Sequence, residues 1–303
     1  MLAPVLSLAA LLLAAASGPP AAPAPSAPAG PTVEWELRQV KGRCGGAKED
    51  FTGAVAIHAP KGLAVTRSTP VVIALHGWGH SPESWRDTPL AALADRHGFV
   101  VVAPAMGKSV FESRFYPESK GQWGEVPGAC WIGEVILPWV RGTLGLGGDP
   151  QRTALIGYST GARGALVVAE RWPRFAFVGA LSGTYDLQVL GRDEGEYRIH
   201  AKIFGERAQF PERWVAEDVT GDGRERALAP ARLWIAHGEA DVVVSAEQAR
   251  TLRARLAPFH PRFDVTIVPG LGHGFPLWSG QLPALVEAMV ETWGVGRPPP
   301  ASR

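Results

Sequence analysis

Short apolar runs recur along the chain, β-branched at residues 71–75 (VVIAL), 99–103 (FVVVA) and 153–156, with 177–181, 233–236 and 263–268 completing the series. A strand covered on both faces has this composition, because neither side of its pleat meets water. Two further runs, 33–40 and 54–58, read as opening strands. Helix-like stretches fall between the runs. Residues 89–97 end at Gly98, 162–172 end at Pro173, 245–256 precede Pro258, and a last one covers 281–293. Gly supplies the left-handed geometry that ends a helix and Pro cannot continue one, so these stops have a physical cause. Strand–helix alternation of this kind predicts an α/β fold with a mostly parallel central sheet and helices on both faces, as one domain over 32–296. Chemistry in such sheets collects just beyond the carboxyl ends of the strands.

Residues in those positions carry reactive side chains. Gly157-Tyr158-Ser159-Thr160-Gly161 follows the strand ending at Ile156 and opens the helix beginning near Ala162. A chain with 36 glycines can produce G-x-S-x-G by chance, but the strand–turn–helix context is the one in which this pattern presents a serine at the apex of a sharp turn. A serine hydroxyl needs a base to become a nucleophile. His273, in GLGHG after the strand 263–268, is placed to serve. The base needs an acceptor that fixes its tautomer. Asp241, in HGEADVVV after the strand 233–236, fits that role, with Asp186 after the strand 177–181 as its competitor. The oxyanion of an acyl-transfer intermediate is expected on backbone N–H groups, one from Thr160 and a second from Trp78 in His76-Gly77-Trp78-Gly79. His76 reads as a support for that loop rather than as a catalyst.

Taken in order, LHGWG, GYSTGARGAL, LSGTYD, HGEADVVV and GLGHGF resemble the putative-esterase family of α/β-hydrolases. This group includes esterase D (S-formylglutathione hydrolase), feruloyl and acetyl-xylan esterases, and mycolyltransferases. The resemblance covers about residues 71–293. It implies an α/β-hydrolase fold, a Ser159–Asp241–His273 triad and an oxyanion hole at Trp78 and Thr160. It also implies ester cleavage through an acyl-enzyme, with no cofactor and no metal. Family members often carry a second glycine and then an aromatic after the nucleophile motif, where this chain has Ala162 and Arg163. Arg163 either holds a substrate carboxylate or pairs with a neighbouring acid. Acyl transfer to a sugar or lipid hydroxyl would use the same acyl-enzyme and is the alternative activity. A serine peptidase or a non-catalytic binding protein on the same scaffold ranks lower.

Other features bear on partners and location. The formal net charge is +1, from 30 basic and 29 acidic residues, which argues against nucleic acid or a charged membrane as partner and leaves a small-molecule or carbohydrate ester. Residues 6–16 form an apolar run followed by Ala14, Ala15, Ala16 and Ser17. That is the length and ending of a signal peptide (1–17), and it is shorter than the ~20 residues of a membrane span. An Ala/Pro-rich linker (18–31) and a loose tail (297–303) complete the domain plan of a secreted or periplasmic enzyme. Cys44 and Cys130 are bridged if the chain reaches an oxidising compartment, and are two buried thiols otherwise. Five tryptophans, Trp78, Trp85, Trp123, Trp131 and Trp139, lie in segments that could stack on sugar or aromatic rings, although core packing is the commoner use of such rings. Residues 218–223 (DVTGDG) echo the start of a calcium loop, but Ala229 stands where that loop needs Glu. The charged stretch 191–229 occupies the position of a cap over the site, or is a solvated excursion.

Overall fold

The computed structural model describes residues 34–45, 50–117, 126–221, 223–228 and 230–294. The leader, the linker, the tail, Trp123, Asp222 and Ala229 lie outside them. Eight strands form one sheet: β1 (Glu36–Gly42), β2 (Phe51–His58), β3 (Val71–Leu75), β4 (Val100–Pro104), β5 (Thr153–Tyr158), β6 (Phe177–Leu181), β7 (Arg232–Gly238) and β8 (Phe263–Val268). Their spatial order is β1-β2-β4-β3-β5-β6-β7-β8. β2 runs antiparallel to both β1 and β4, and all pairings from β4 through β3 to β8 are parallel. The expected sheet is therefore present, with its runs extended by one to three residues at several ends.

The pleat sorts each central strand onto two cores. Val71, Ile73 and Leu75 of β3 face one side with Leu155, Val178 and Ile235, where α4 (Thr160–Arg171) and α8 (Glu247–Leu256) pack. Val72 and Ala74 face the other side with Ala154, Ile156 and Trp234, against α1 (Leu90–His97) and α9 (Phe275–Trp293). This two-sided burial is why β3, β4, β5 and β6 carry no alternation of polar residues.

The helices depart from the sequence reading in three places. One helical stretch, formed by α2 (Gly128–Cys130), a π-helical segment Trp131–Ile136 and α3 (Leu137–Gly142), was not expected at all. Gly133 and Pro138 interrupt its pattern, and its inward residues Trp131, Ile132 and Ile136 are held by the core. Helix α9 begins at Phe275, six residues before the expected start, because Pro276 sits in the first turn, where its missing N–H costs nothing. The stretch 191–229 folds into α5 (Gly195–Phe204), α6 (Pro211–Glu217) and α7 (Glu225–Leu228).

Cys44 and Cys130 are free, buried thiols lying together, so the bridge expected for an oxidising compartment is not formed here. Hydrogen bonding between the pair, then burial, pushes the Cys130 thiol up. Both pack as small apolar groups of the core.

Strand register places the reactive loops. Leu75 of β3 pairs with Gly157 of β5, and Tyr158 pairs with Leu181 of β6. Gly238 of β7 pairs with Val268 of β8. The loops after β3, β5 and β6 thus start side by side, as do those after β7 and β8.

Candidate active site

Ser159 stands between the end of β5 and the start of α4 with φ 56° and ψ −127°. A non-glycine residue in that region costs on the order of 1–3 kcal/mol and persists only where its surroundings enforce it. Here the Ser159 N–H donates to Leu181 O at 2.8 Å, and its carbonyl accepts from Ala162 N at 2.9 Å. The turn is tight enough that a Cβ on Gly161 would lie 2.3 Å from Leu75 O. No other residue type fits there without moving β3.

His273, in the loop between β8 and α9, brings Nε2 to 2.9 Å from Ser159 Oγ and Nδ1 to 2.7 Å from Asp241 Oδ2. Because a carboxylate only accepts, the imidazole proton sits on Nδ1 and leaves Nε2 free to accept from the serine. Asp241 Oδ1 accepts from the backbone N–H groups of Val243 (2.9 Å) and Val244 (2.8 Å). Burial alone would raise the Asp241 carboxyl, but hydrogen bonds from His237, His273 and Val244 outweigh it and hold the group well below the usual carboxylate range. Asp241 therefore remains an anion facing His273. The competitor Asp186 makes no such contact. Its Oδ1 accepts from Gln188 N at 3.0 Å, and burial pushes its carboxyl up.

Thr160 is the first residue of α4, so its N–H belongs to the helix-start groups with no intrahelical partner. The loop after β3 presses on the serine: a Cβ on Gly77 would lie 3.0 Å from Ser159 Cβ. His76 holds that loop in shape. Its Nδ1 donates to Gly77 O (2.8 Å) and its Nε2 accepts from Met106 N (2.9 Å), while burial pushes its ring down to about 4. Gly79 N donates to Gly107 O at 2.9 Å, tying the same loop to the segment after β4.

The described residues of the 191–229 stretch, the expected cap, are folded and packed. Tyr197, Ile203, Phe204 and Trp214 form a small core with Val110, Tyr116, Leu187 and Leu190, and Trp78 packs against it. Arg163 fastens this cap to the serine-bearing helix. Its guanidinium, fully buried, donates to Val110 O, Phe111 O (3.2 Å), Glu217 O (2.6 Å) and Glu217 Oε2 (3.4 Å). Of the two roles open to Arg163 the structure assigns the internal ion pair. Glu217 also accepts from Ser113 Oγ (2.5 Å) and Tyr116 OH (2.8 Å). In the calcium-like string, Asp218 spends its oxygens on Leu187 N (2.8 Å), Thr220 N (2.7 Å) and Thr220 Oγ1 (2.6 Å). Among the described residues no three His, Cys, Asp or Glu side chains gather as a metal site.

Trp85 and Trp131 are core residues and Trp139 is partly buried against the core, so among the described members of the five Trp78, half-buried, is the one beside the serine loop. The sequence reading missed Trp278. Its ring meets His273 edge-on at 5.2 Å and stacks on Tyr158 at 4.4 Å and 22°. Phe275 and His80 extend this aromatic wall: their rings stack 6.0 Å apart, and His80 Nδ1 lies 2.9 Å from Tyr158 OH. The spacing of Phe275 and Trp278, three residues apart just after His273, is a helical signal that an earlier helix start would have exposed.

Fold and site together define an α/β-hydrolase. The family described as "Putative esterase" matches residues 52–284, and the chain belongs to it. MPT51 of Mycobacterium tuberculosis is similar in fold, with TM-score 0.65 and 20% identity, over 86% of this chain and 98% of that one. A ferulic acid esterase matches with TM-score 0.64 and 18% identity, over 86% and 100%. An S-formylglutathione hydrolase from Agrobacterium tumefaciens matches with TM-score 0.66 and 18% identity, over 88% and 98%. No curated protein sequence matches the chain.

Proposed function

We propose that the chain is an exported serine esterase that cleaves a carboxylic ester through an acyl-enzyme on Ser159. The observation that carries this reading is the unbroken line Ser159 Oγ–His273 Nε2, His273 Nδ1–Asp241 Oδ2 at 2.9 and 2.7 Å. His273 takes the serine proton as Oγ attacks the ester carbonyl. The backbone N–H groups of Thr160 and Trp78 receive the developing oxyanion, each such donor being worth about 10²–10³ in rate. His273 then protonates the departing alcohol and activates the water that releases the acid. Asp241, held as an anion, stabilises the imidazolium in both halves. No step calls for a metal or an organic cofactor.

A ferulic acid esterase among the structural relatives and the half-buried Trp78 beside the nucleophile loop favour a carbohydrate or feruloyl ester as substrate. Export rests on the apolar run 6–16 and the small residues after it. Among the described residues no helix is long and apolar enough to cross a membrane.

The test is a fluorophosphonate probe together with a panel of acyl, feruloyl and acetylated-sugar esters, each with and without added alcohol. Labelling at Ser159 with release of free acid supports the esterase. Predominant transfer to the alcohol would make it an acyltransferase, and absence of both labelling and turnover would leave a binding protein.

A further inference from the structure

His237 lies near the end of β7, is fully buried, and has no part in the mechanism above. Its Nε2 sits 2.9 Å from Val244 O and 3.4 Å from Asp241 Oδ2. Both are acceptors, so the proton facing them belongs to Nε2. Nδ1 is buried with no hydrogen-bond partner, which leaves the ring one donor, aimed at the acid loop.

That loop needs an anchor. Val242 is 96% exposed and Val243 51%, so apolar burial holds the segment carrying Asp241 only at its far end, through the buried Val244. Its internal ties are the two amides on Oδ1 and a long bond of 3.3 Å from Asp241 N to Gly238 O. The two amides act on Oδ1, while the Oδ2 side of the planar carboxylate meets His237 and His273. The His237 N–H closes the arrangement by gripping the far end of the loop at Val244 O and the reactive oxygen Oδ2 together.

We propose that His237 is a positioning residue for Asp241: its Nε2–H, shared between Val244 O and Asp241 Oδ2, sets the carboxylate rotation that brings Oδ2 onto His273 Nδ1. The inference rests on the reading of Ser159, His273 and Asp241 as the catalytic groups. A histidine that merely filled the core would act on stability and not on the activity of the serine.

The amide nitrogen of Gln overlies the Nε2 position of His, whereas that of Asn falls short at the Nδ1 position. His237→Gln, His237→Asn and His237→Leu are therefore compared with wild type by melting temperature, by ester kinetics and by the rate of fluorophosphonate labelling, which reads Ser159 activation without an ester. Wild type that labels and turns over establishes the site. His237→Leu and His237→Asn should then lose about 10- to 100-fold in kcat and in labelling rate, the range carried by one hydrogen bond to a charged group, with KM little changed. His237→Gln should restore most of both. If His237→Leu fails to fold, the Gln–Asn contrast decides. Kinetics of His237→Leu within twofold of wild type, or Gln no better than Asn, overturns the inference alone. A wild type that neither labels nor turns over esters removes the site reading, and this inference with it.

Discussion

Asp241 meets His273 through one carboxylate oxygen only: Oδ2 lies 2.7 Å from Nδ1, while Oδ1 is taken by the amides of Val243 and Val244. An amide at this position would present either a donor or a weaker acceptor to Nδ1 and so disturb the tautomer. Asp241→Asn should lower kcat by about 10⁴, the loss seen when a triad acid is made an amide. Asp186→Asn, with its oxygen on Gln188 N, should cost less than about tenfold. Ester kinetics on both folded variants check the ranking, and the reverse order would move the acid to the end of β6.

Ser159→Ala removes the nucleophile without emptying any core space, since Ser159 sits at the turn apex and is only half-buried. Turnover should fall by about 10⁶ and probe labelling should vanish, with the melting temperature little changed because Ala keeps the Cβ and so the same backbone strain. Residual activity above a few per cent would place the nucleophile elsewhere.

How much of this was legible in the sequence depended on where the physical signal lay. β3, β6 and β8 were readable to the residue: β3 and β6 as short continuous buried runs, β8 as a β-branched run with alternating polar positions, each bounded by loops. Ser159, Asp241 and His273 were readable because each follows a different strand and has the residue type its role demands. The cap helices were not, since their buried positions include Glu196, His200 and Glu217, which blur an amphipathic pattern. The two carboxylates are satisfied from outside their helices: Glu196 accepts from Thr184 Oγ1 and Glu217 from Arg163 and Tyr116. The start of α9 was hidden by Pro276 and Pro283, and with it the contact of Trp278 with His273.

The oxyanion loop offers a steric test. A methyl group on Gly77 would stand 3.0 Å from both Ser159 Cβ and Tyr158 Cε2, so the loop must back away by a few tenths of an ångström. Its amides would leave the place where the oxyanion forms, and misplacement on this scale costs up to about 10² in rate. Gly77→Ala should thus depress kcat and labelling by about 10- to 100-fold with a small change in melting temperature. Unchanged kcat in the folded variant would remove this loop from the oxyanion hole.

The last prediction concerns Glu112, which couples pH to stability beneath the cap. Its side chain is buried, Oε1 has no hydrogen-bond partner, and Oε2 accepts from Ser109 Oγ over a long 3.4 Å. Burial, with a further push from the Glu217 carboxylate and opposition from Arg163 and a backbone N–H, raises the Glu112 carboxyl to about 7. Between the ordinary glutamate value of 4.5 and about 7 the folded chain holds a proton that the unfolded chain has released. Stability from this group is therefore complete below the lower value and is lost as pH rises through the upper one. His76, pushed by burial to about 4, and His200, to about 3, work in the opposite direction. Their contribution is complete above the ordinary histidine value of 6.5 and is lost on acidification. Glu112→Gln keeps the shape and removes the ionisation, so it isolates the first effect. Its melting temperature should exceed that of wild type at pH 8 by at least about 2 °C, the scale of ~1 kcal/mol in a domain of this size, and the gap should close at pH 5. Melting curves at the two pH values decide it, and an equal offset at both would mean that Glu112 does not titrate in this window.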